Sequence, residues 1–351
     1  MKIRDKTLPA LGKIPPEFFD RVIYPRLGAP RPDVIIGPRH GVDYGVIRLA
    51  DGTCLALSSD PFFIVPAYGF DRAAWFAFHI IVSDVAVSGL EPVYLAVDLN
   101  LPPEITALEL ETMWETVHRE AVRYGVNIVT GHTARYAGCN YPMVGGATAL
   151  AAGPESDLRG PHLVRSGDRL VITKGPAVET TGLLAISFPD RLKAAFGADF
   201  QRRAEAIFYQ MSVLEDCAVA RRFPGVRVMH DATECGIWGG LYEMARAGGF
   251  GLLVERERII TQSVIMETCR HFEIDPFVSI SEGTLLVIVA PDQAGALVEA
   301  FQARGIPASE AGLVTSPEDG VRVKEAGRVR PLEHPRTDPY WLTVERLLSE
   351  G

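Results

Sequence analysis

A few acidic and polar residues stand where a fold alone does not require them, and their spacing is the first clue to chemistry. Asp43 closes the run Ile36-Gly37-Pro38-Arg39-His40-Gly41-Val42-Asp43. Gly37 and Gly41 lack a Cβ, so the backbone there is free to approach a phosphate closely. A loop-to-strand aspartate without chemistry reads equally well at that place. Asp60 follows the apolar run Leu55-Ala56-Leu57 and the pair Ser58-Ser59, ahead of Pro61, which forces the preceding residue into extended backbone. Taken alone it is a turn aspartate. Asp84 says more, because Phe78, Ile80, Ile81, Val82, Val85 and Val87 surround it in a stretch of helical character. Such a helix is apolar on nearly all sides and must be buried. A carboxylate carried inside is costly unless it is hydrogen-bonded, paired or bound to a cation. A serine or backbone partner and a metal ion account for it equally, and His79 and Ser83 on the same helix read first as satisfied core polar groups.

Two further segments carry candidates. Val129-Thr130-Gly131-His132-Thr133 is a strand ending in a polar turn, where a neutral histidine is able to ligate a metal, although a lone loop histidine is more often structural. Val228-Met229-His230-Asp231-Ala232-Thr233-Glu234-Cys235-Gly236 runs from a strand into a helix start, a geometry that offers free amides and the positive end of a dipole to an anion. Asp231 and Thr233 are equally placed to cap that helix. Glu282 in Ser281-Glu282-Gly283 precedes an apolar strand and is either a site residue or a solvent-facing one.

The 351-residue chain is long enough for two hydrophobic cores, and its 47% hydrophobic and 23% charged residues are ordinary for a folded protein. A net charge of -9 argues against a nucleic-acid footprint, which needs clustered Lys and Arg. No apolar stretch is long enough to span a bilayer, and the charged opening Met1–Lys6 leading to Pro9 and Pro15-Pro16 has no signal-peptide character, so no membrane association and a cytoplasmic location are expected. The cysteines form no Cys-x-x-Cys pair, which gives no support to a zinc site or disulfide framework. Cys54, Cys139, Cys217 and Cys269 read as small buried hydrophobes, and Cys235 is set apart by its neighbours.

The elements that must position these residues follow from pattern. A hairpin over Tyr44–Leu49 and Thr53–Ser58 turns at Asp51-Gly52. Asp71 is the expected N-cap of the apolar helix through Trp75, Phe78, Val82 and Val85, with Gly89 and Pro92 as stop signals. A strand over Val93–Leu99, a helix over Ile105–Tyr124 and a short buried strand over Val126–Thr130 come next, then a strand over Met143–Ala151. The Gly/Pro-rich stretch from Gly153 to Pro161 is the expected linker, dividing the chain into 1–157 and 158–351. Beyond it, helices are expected near 181–187, 201–221, 234–247, 261–272 and 292–304, among strands near 169–173, 226–229, 252–255 and 284–289 and two strand segments near 311–325. Interleaved helices and hairpins make each half α+β.

In order and spacing these segments resemble the aminoimidazole ribonucleotide synthetase superfamily, PurM-like proteins that include HypE, thiamine-monophosphate kinase and selenophosphate synthetase. Ser58-Ser59-Asp60 is similar to its Thr-Thr-Asp, and Ser83-Asp84-Val85-Ala86-Val87-Ser88-Gly89-Leu90-Glu91-Pro92 to its Asn-Asp-Leu-Ala-x-x-Gly-Ala-x-Pro. Asp231-Ala232-Thr233 resembles the Asp-Pro-Thr of HypE, and Thr173-Lys174-Gly175 with Thr181–Ala185 resembles the opening of its second domain. The resemblance implies a two-domain PurM-like α+β fold, an N-terminal sheet domain that pairs in a homodimer, and a C-terminal α/β sandwich. It implies ATP with Mg²⁺ on Asp43, Asp60 and Asp84, further nucleotide contacts from Gly37, Gly41, Ser83, Gly131, His132 and Thr133, and Asp231, Thr233 and Glu282 at the acceptor. The implied reaction phosphorylates an oxygen of a carbonyl or amide on a small molecule or carrier, with dehydration or cyclisation to follow. A kinase resembling thiamine-monophosphate kinase and a non-catalytic nucleotide-binding regulator are the alternatives. The sequence departs from the family at His132, where an acidic residue is common, and at Leu347–Gly351, where HypE carries a terminal cysteine, so HypE chemistry on a terminal thiol of its own is not expected.

Overall fold

The computed structural model describes residue 14 and residues 16–350, so the charged opening Met1–Lys6, with Pro9, Pro15 and Gly351, lies outside the described residues. The first half comprises α1 (Pro16–Phe18), β1 (Val34–Ile36), β2 (Gly45–Arg48), β3 (Thr53–Phe63), α2 (Phe70–Ala86), β4 (Glu91–Leu101), α3 (Ala107–Tyr124), β5 (Asn127–Arg135) and β6 (Met143–Pro154). Its strands form one sheet in the order β1-β2-β3-β6-β4-β5, antiparallel except for the parallel pair β4 and β5. The second half comprises β7 (Arg169–Thr173), α4 (Val178–Ser187), α5 (Pro189–Phe196), α6 (Ala198–Ala206), α7 (Leu214–Ala220), β8 (Val226–Asp231), α8 (Gly236–Gly248), β9 (Gly251–Glu255), α9 (Ser263–His271), β10 (Leu285–Val289), α10 (Ala294–Ala303), β11 (Ala308–Thr315), β12 (Val321–Glu325), β13 (Arg328–Pro331) and α11 (Pro339–Ser349). Its strands run β13-β12-β9-β11-β7-β10-β8, again mixed. The α+β expectation holds for both halves.

Side-chain alternation explains the layering. In β10 every residue is buried, because Leu285, Val287 and Val289 join the core shared with α2, α7 and α10, while Leu286 and Ile288 face the core under α8. Phe78, Ile81, Val82 and Val85 of α2 belong to the same buried cluster as Val171, Val213 and Met229, so one apolar helix of the first half serves the cores of both sheets. That double duty explains why it is apolar on nearly every side. The connecting segment is pinned as well, with Arg159 N–H donating to Ser88 O and Gly160 N–H to Arg227 O.

Several local expectations change. Helix α2 is entered through Gly69 at φ 86 with no side-chain cap, so Asp71 lies inside the first turn instead of capping it. Helix α3 is capped by Thr106, which forms a reciprocal capping box with Glu109, and ends at left-handed Gly125. β5 is an exposed edge strand that runs to Arg135, where a short buried strand was expected, because no layer formed by the described residues covers its outer face. The expected helix over 201–221 is broken into α6, a 3-10 turn at Ile207–Gln210 and α7. Cys139 is partly exposed, whereas Cys54, Cys217, Cys235 and Cys269 are buried. No described helix is long and apolar enough to cross a membrane.

Candidate active site

β3 does not stop at the serines. It continues through Asp60, which pairs with Ala147 of β6, and Pro61, which pairs with Gly146, so Asp60 is a strand residue and the turn reading is corrected. Next to that strand lies α2, where Asp84 is the partly open position in the buried run from Ile81 to Leu90. The Asp60 carboxyl stands against that of Asp84, and Ser58 Oγ donates to Asp84 Oδ2 at 3.0 Å. Asp43 and Asp231 stand close enough to act on the same group: enclosure first, then Asp60, Asp43 and Asp231, hold the Asp84 carboxyl well above the usual carboxylate range. Four aspartates from four separated segments therefore converge.

The cluster has an open side and a closed side. Asp43, Asp60 and Asp84 keep contact with solvent, whereas Asp231 and Glu282 are 1% and 2% exposed. Burial pushes Asp231 up to about 6, with the carboxyl of Glu282 and the cations Lys174 and His230 pulling it back against Asp43. Glu282 is held well above the usual range by burial, by Asp231 and by Glu179. Asp231 Oδ1 accepts the Gly283 N–H at 3.3 Å, while Asp231 Oδ2 and Glu282 Oε1 are buried and find no hydrogen-bond donor among the described residues. The solvent-facing alternative for Glu282 is thereby excluded.

Other expected residues are used differently. Neither Asp231 nor Thr233 caps α8. Its N-cap is Cys235, left-handed at φ 61, and the Thr233 carbonyl accepts the amides of Gly236 and Ser281. Gly41 is indeed a site of close approach, but to the chain itself, since a Cβ there would stand 2.4 Å from the Glu243 carbonyl oxygen. A side chain at Gly37 would meet only Val34. The hydroxyl of fully buried Ser83 accepts the Val213 N–H at 3.2 Å, a structural use. Strand alternation sends the side chains of His132 and Thr133 to opposite faces, and Gly131, without a side chain, borders the His132 side through its backbone. Gly131 and His132 line a cavity of about 610 Å³ on the outer sheet face with Ser59, Asp60, Asp98 and Gly146, and Thr133 opens onto another of about 890 Å³ beside Trp114. His132 Nε2 is hydrogen-bonded to Tyr136 at 2.8 Å, and Gly131 is glycine because a Cβ would press to 2.2 Å from Val97 O.

Residues not foreseen as site members complete the arrangement. His230 donates from Nδ1 to Asp43 Oδ2 at 2.8 Å, with Glu243 3.7 Å from Nε2; burial opposes its charge, but these two carboxylates push the ring up to about 10. Glu179 accepts the Glu282 N–H at 3.1 Å, and burial pushes it up to about 8. Asp338 caps α11 and accepts the Cys235 N–H at 2.8 Å. The sequence held one usable signal for Glu179, a lone acid in the apolar run Pro176–Ala185. His230 was visible only as the neighbour of Asp231.

Among the described residues no three His, Cys, Asp or Glu side chains are already arranged to hold a metal ion. The donor chemistry nevertheless fits one. Asp60, Asp43 and Asp231 crowd Asp84, and a hard dication bound by carboxylate oxygens relieves that repulsion.

Comparison with known proteins agrees with the geometry. The family model for the N-terminal domain of AIR synthase related protein matches residues 41–154, and that for its C-terminal domain matches 165–324. Carbamoyl dehydratase HypE of Azotobacter vinelandii is 27% identical over 248 residues, 69% of each chain. The crystal structure of E. coli HypE superposes with a TM-score of 0.68 at 23% identity, over 81% of this chain and 87% of that one. A HypE structure in complex with ATP gives 0.62 at 23% identity, over 92% and 93%.

Proposed function

We propose, from the premise that the chain belongs to the AIR synthase related protein family, that it is an ATP- and Mg²⁺-dependent enzyme that phosphorylates an oxygen of a carbonyl or amide group on a small-molecule or carrier-bound acceptor. The observation that carries this reading is the convergence of Asp43, Asp60, Asp84 and Asp231 from separate segments, with Glu282 closing the buried side. Asp43, Asp60 and Asp84 would hold Mg²⁺, which supplies neutralisation of phosphate charge when bound. The acceptor oxygen forms its bond to the γ-phosphorus as the bridging P–O bond to ADP breaks. Asp231 takes the proton the acceptor releases, and protonated Glu282 donates a hydrogen bond to it. Departure of the phosphorylated oxygen would then complete a dehydration, as the name carbamoyl dehydratase describes for the HypE relatives. The two domains are assigned to 1–157 and 158–351.

Calorimetry with ATP tests this directly. Binding is expected with Mg²⁺ and lost on chelation, and equal binding with and without Mg²⁺, or none at all, would overturn it. The reading includes a homodimer, because the outer face of the first sheet leaves Tyr94 and Val129 about half exposed beside partly covered Leu55, Leu57 and Leu150. Light scattering should return twice the mass of the chain, and a monomer would remove this part.

A further inference from the structure

We propose that Lys174 is a positioning residue, fixing the acceptor-side pair Asp231–Glu282 against the metal-side Asp84 across the junction of the two halves. The inference rests on the roles just proposed for those carboxylates. Lys174 directly follows β7, is 6% exposed, and holds a left-handed backbone at φ 58, unusual for a residue with a Cβ. Its ammonium donates three bonds of 2.7 Å each, to Ser212 O, Gly283 O and Asp216 Oδ2. An ammonium has three donors, so none remains for a phosphate or an acceptor.

The identity of the acceptors gives the residue its role. An ion pair with Asp216 would need one donor; the other two go to backbone carbonyls of different segments. Gly283 follows Glu282, and its N–H donates to Asp231 Oδ1. Ser212 and Val213 in turn grip α2: Ser212 Oγ is hydrogen-bonded to His79 Nδ1 at 2.7 Å, and the Val213 N–H donates to Ser83, next to Asp84. The two segments also touch directly, since a Cβ on Gly283 would lie 2.1 Å from Gln210 O and 2.8 Å from Ser212 N. A continuous chain of short polar contacts thus runs from α2 through Ser212 and Lys174 to the Glu282 loop. His79, fully buried between Trp75 at 4.1 Å and Glu120 at 3.4 Å, anchors its first link.

Hydrogen–deuterium exchange on the full chain reads this coupling without knowledge of the acceptor, with Mg-ATP as the probe. In the wild type, Mg-ATP bound at Asp84 is expected to slow exchange in 279–285 by about tenfold, within the usual range of inter-site coupling. Lys174→Met should bind Mg-ATP within about twofold of wild type yet lose that slowing, and its ligand-free exchange in 212–217 and 281–285 should rise. His79→Leu should lose the slowing while leaving ligand-free exchange in 281–285 unchanged, which keeps the test open should Lys174→Met fold poorly. Variants that bind Mg-ATP and slow exchange as the wild type does would overturn the proposal, as would unchanged ligand-free exchange in Lys174→Met. A wild type that binds no Mg-ATP would instead overturn the function proposed above, and the ligand-free comparison would still decide the role of Lys174.

Discussion

Asp84→Asn is expected to reduce ATP turnover by about 10³-fold or more, since phosphoryl transfer depends on charge neutralisation at the metal, and at the same time to raise the stability of the ligand-free protein. The second effect follows from proton linkage. A carboxyl whose folded-state pKa lies above its unfolded value binds more protons when folded, so its contribution to stability falls as the pH climbs out of the carboxylate range. Asp84 is such a group, raised by enclosure and by Asp60, Asp43 and Asp231. Asparagine removes the repulsion but still accepts from Ser58 Oγ. The group keeps some solvent contact, so screening limits the gain to about 1 kcal/mol, or about 2–4 °C in midpoint for domains of this size. Thermal unfolding at several pH values should show the gain at pH 7 and its disappearance near pH 4. Added Mg²⁺ should stabilise the wild type and leave the variant unmoved. A variant less stable than wild type at pH 7 without metal would contradict the crowding of these carboxylates, and one that retains turnover would remove Asp84 from the metal site.

The second large effect separates the two buried acids. Asp231→Asn should lower turnover by about 10²–10⁴-fold, the range for a general base, with Mg-ATP affinity changed little. Glu282→Gln should be much milder, because burial, Asp231 and Glu179 raise the Glu282 carboxyl toward its neutral form and an amide replaces the proposed hydrogen-bond donor with one of similar shape. Wild-type turnover should rise with pH through about 6, where burial places Asp231, and Asp231→Asn should lack that limb. Once an acceptor is in hand, pre-steady-state phosphate transfer in both variants decides the matter. A Glu282→Gln loss equal to that of Asp231→Asn would reverse the assignment of base and donor.

How far the site was legible varies residue by residue. Asp84 stood out because a carboxylate in an apolar helix conflicts with burial, and a conflict of that kind is visible in one dimension. The conflict was real, but its resolution was spatial: the helix is buried by two sheets, and Asp84 occupies the position left open between them. Glu282 was ambiguous, since an acid before a strand faces either way, and Asp231 settled it. Lys174 was noticed only as part of a resembling segment; its three acceptors lie 38, 42 and 109 residues away, beyond any local pattern. Ser83 and Gly41 were implied as nucleotide contacts by the resemblance, and in the fold Ser83 accepts the Val213 N–H while Gly41 packs against the Glu243 carbonyl.

By itself the sequence determined most of the periodic elements, the α+β class and the family, because hydrophobic spacing, turn residues and short acidic motifs are local properties of the chain. Tertiary structure alone decided which acids meet, which stay wet, and which cations hold them. Charge interactions weaken with separation and with solvent between the groups, so the chemistry of Asp43, Asp60, Asp84, Asp231 and Glu282 exists only once β3, α2, β8 and the loop before β10 are packed together.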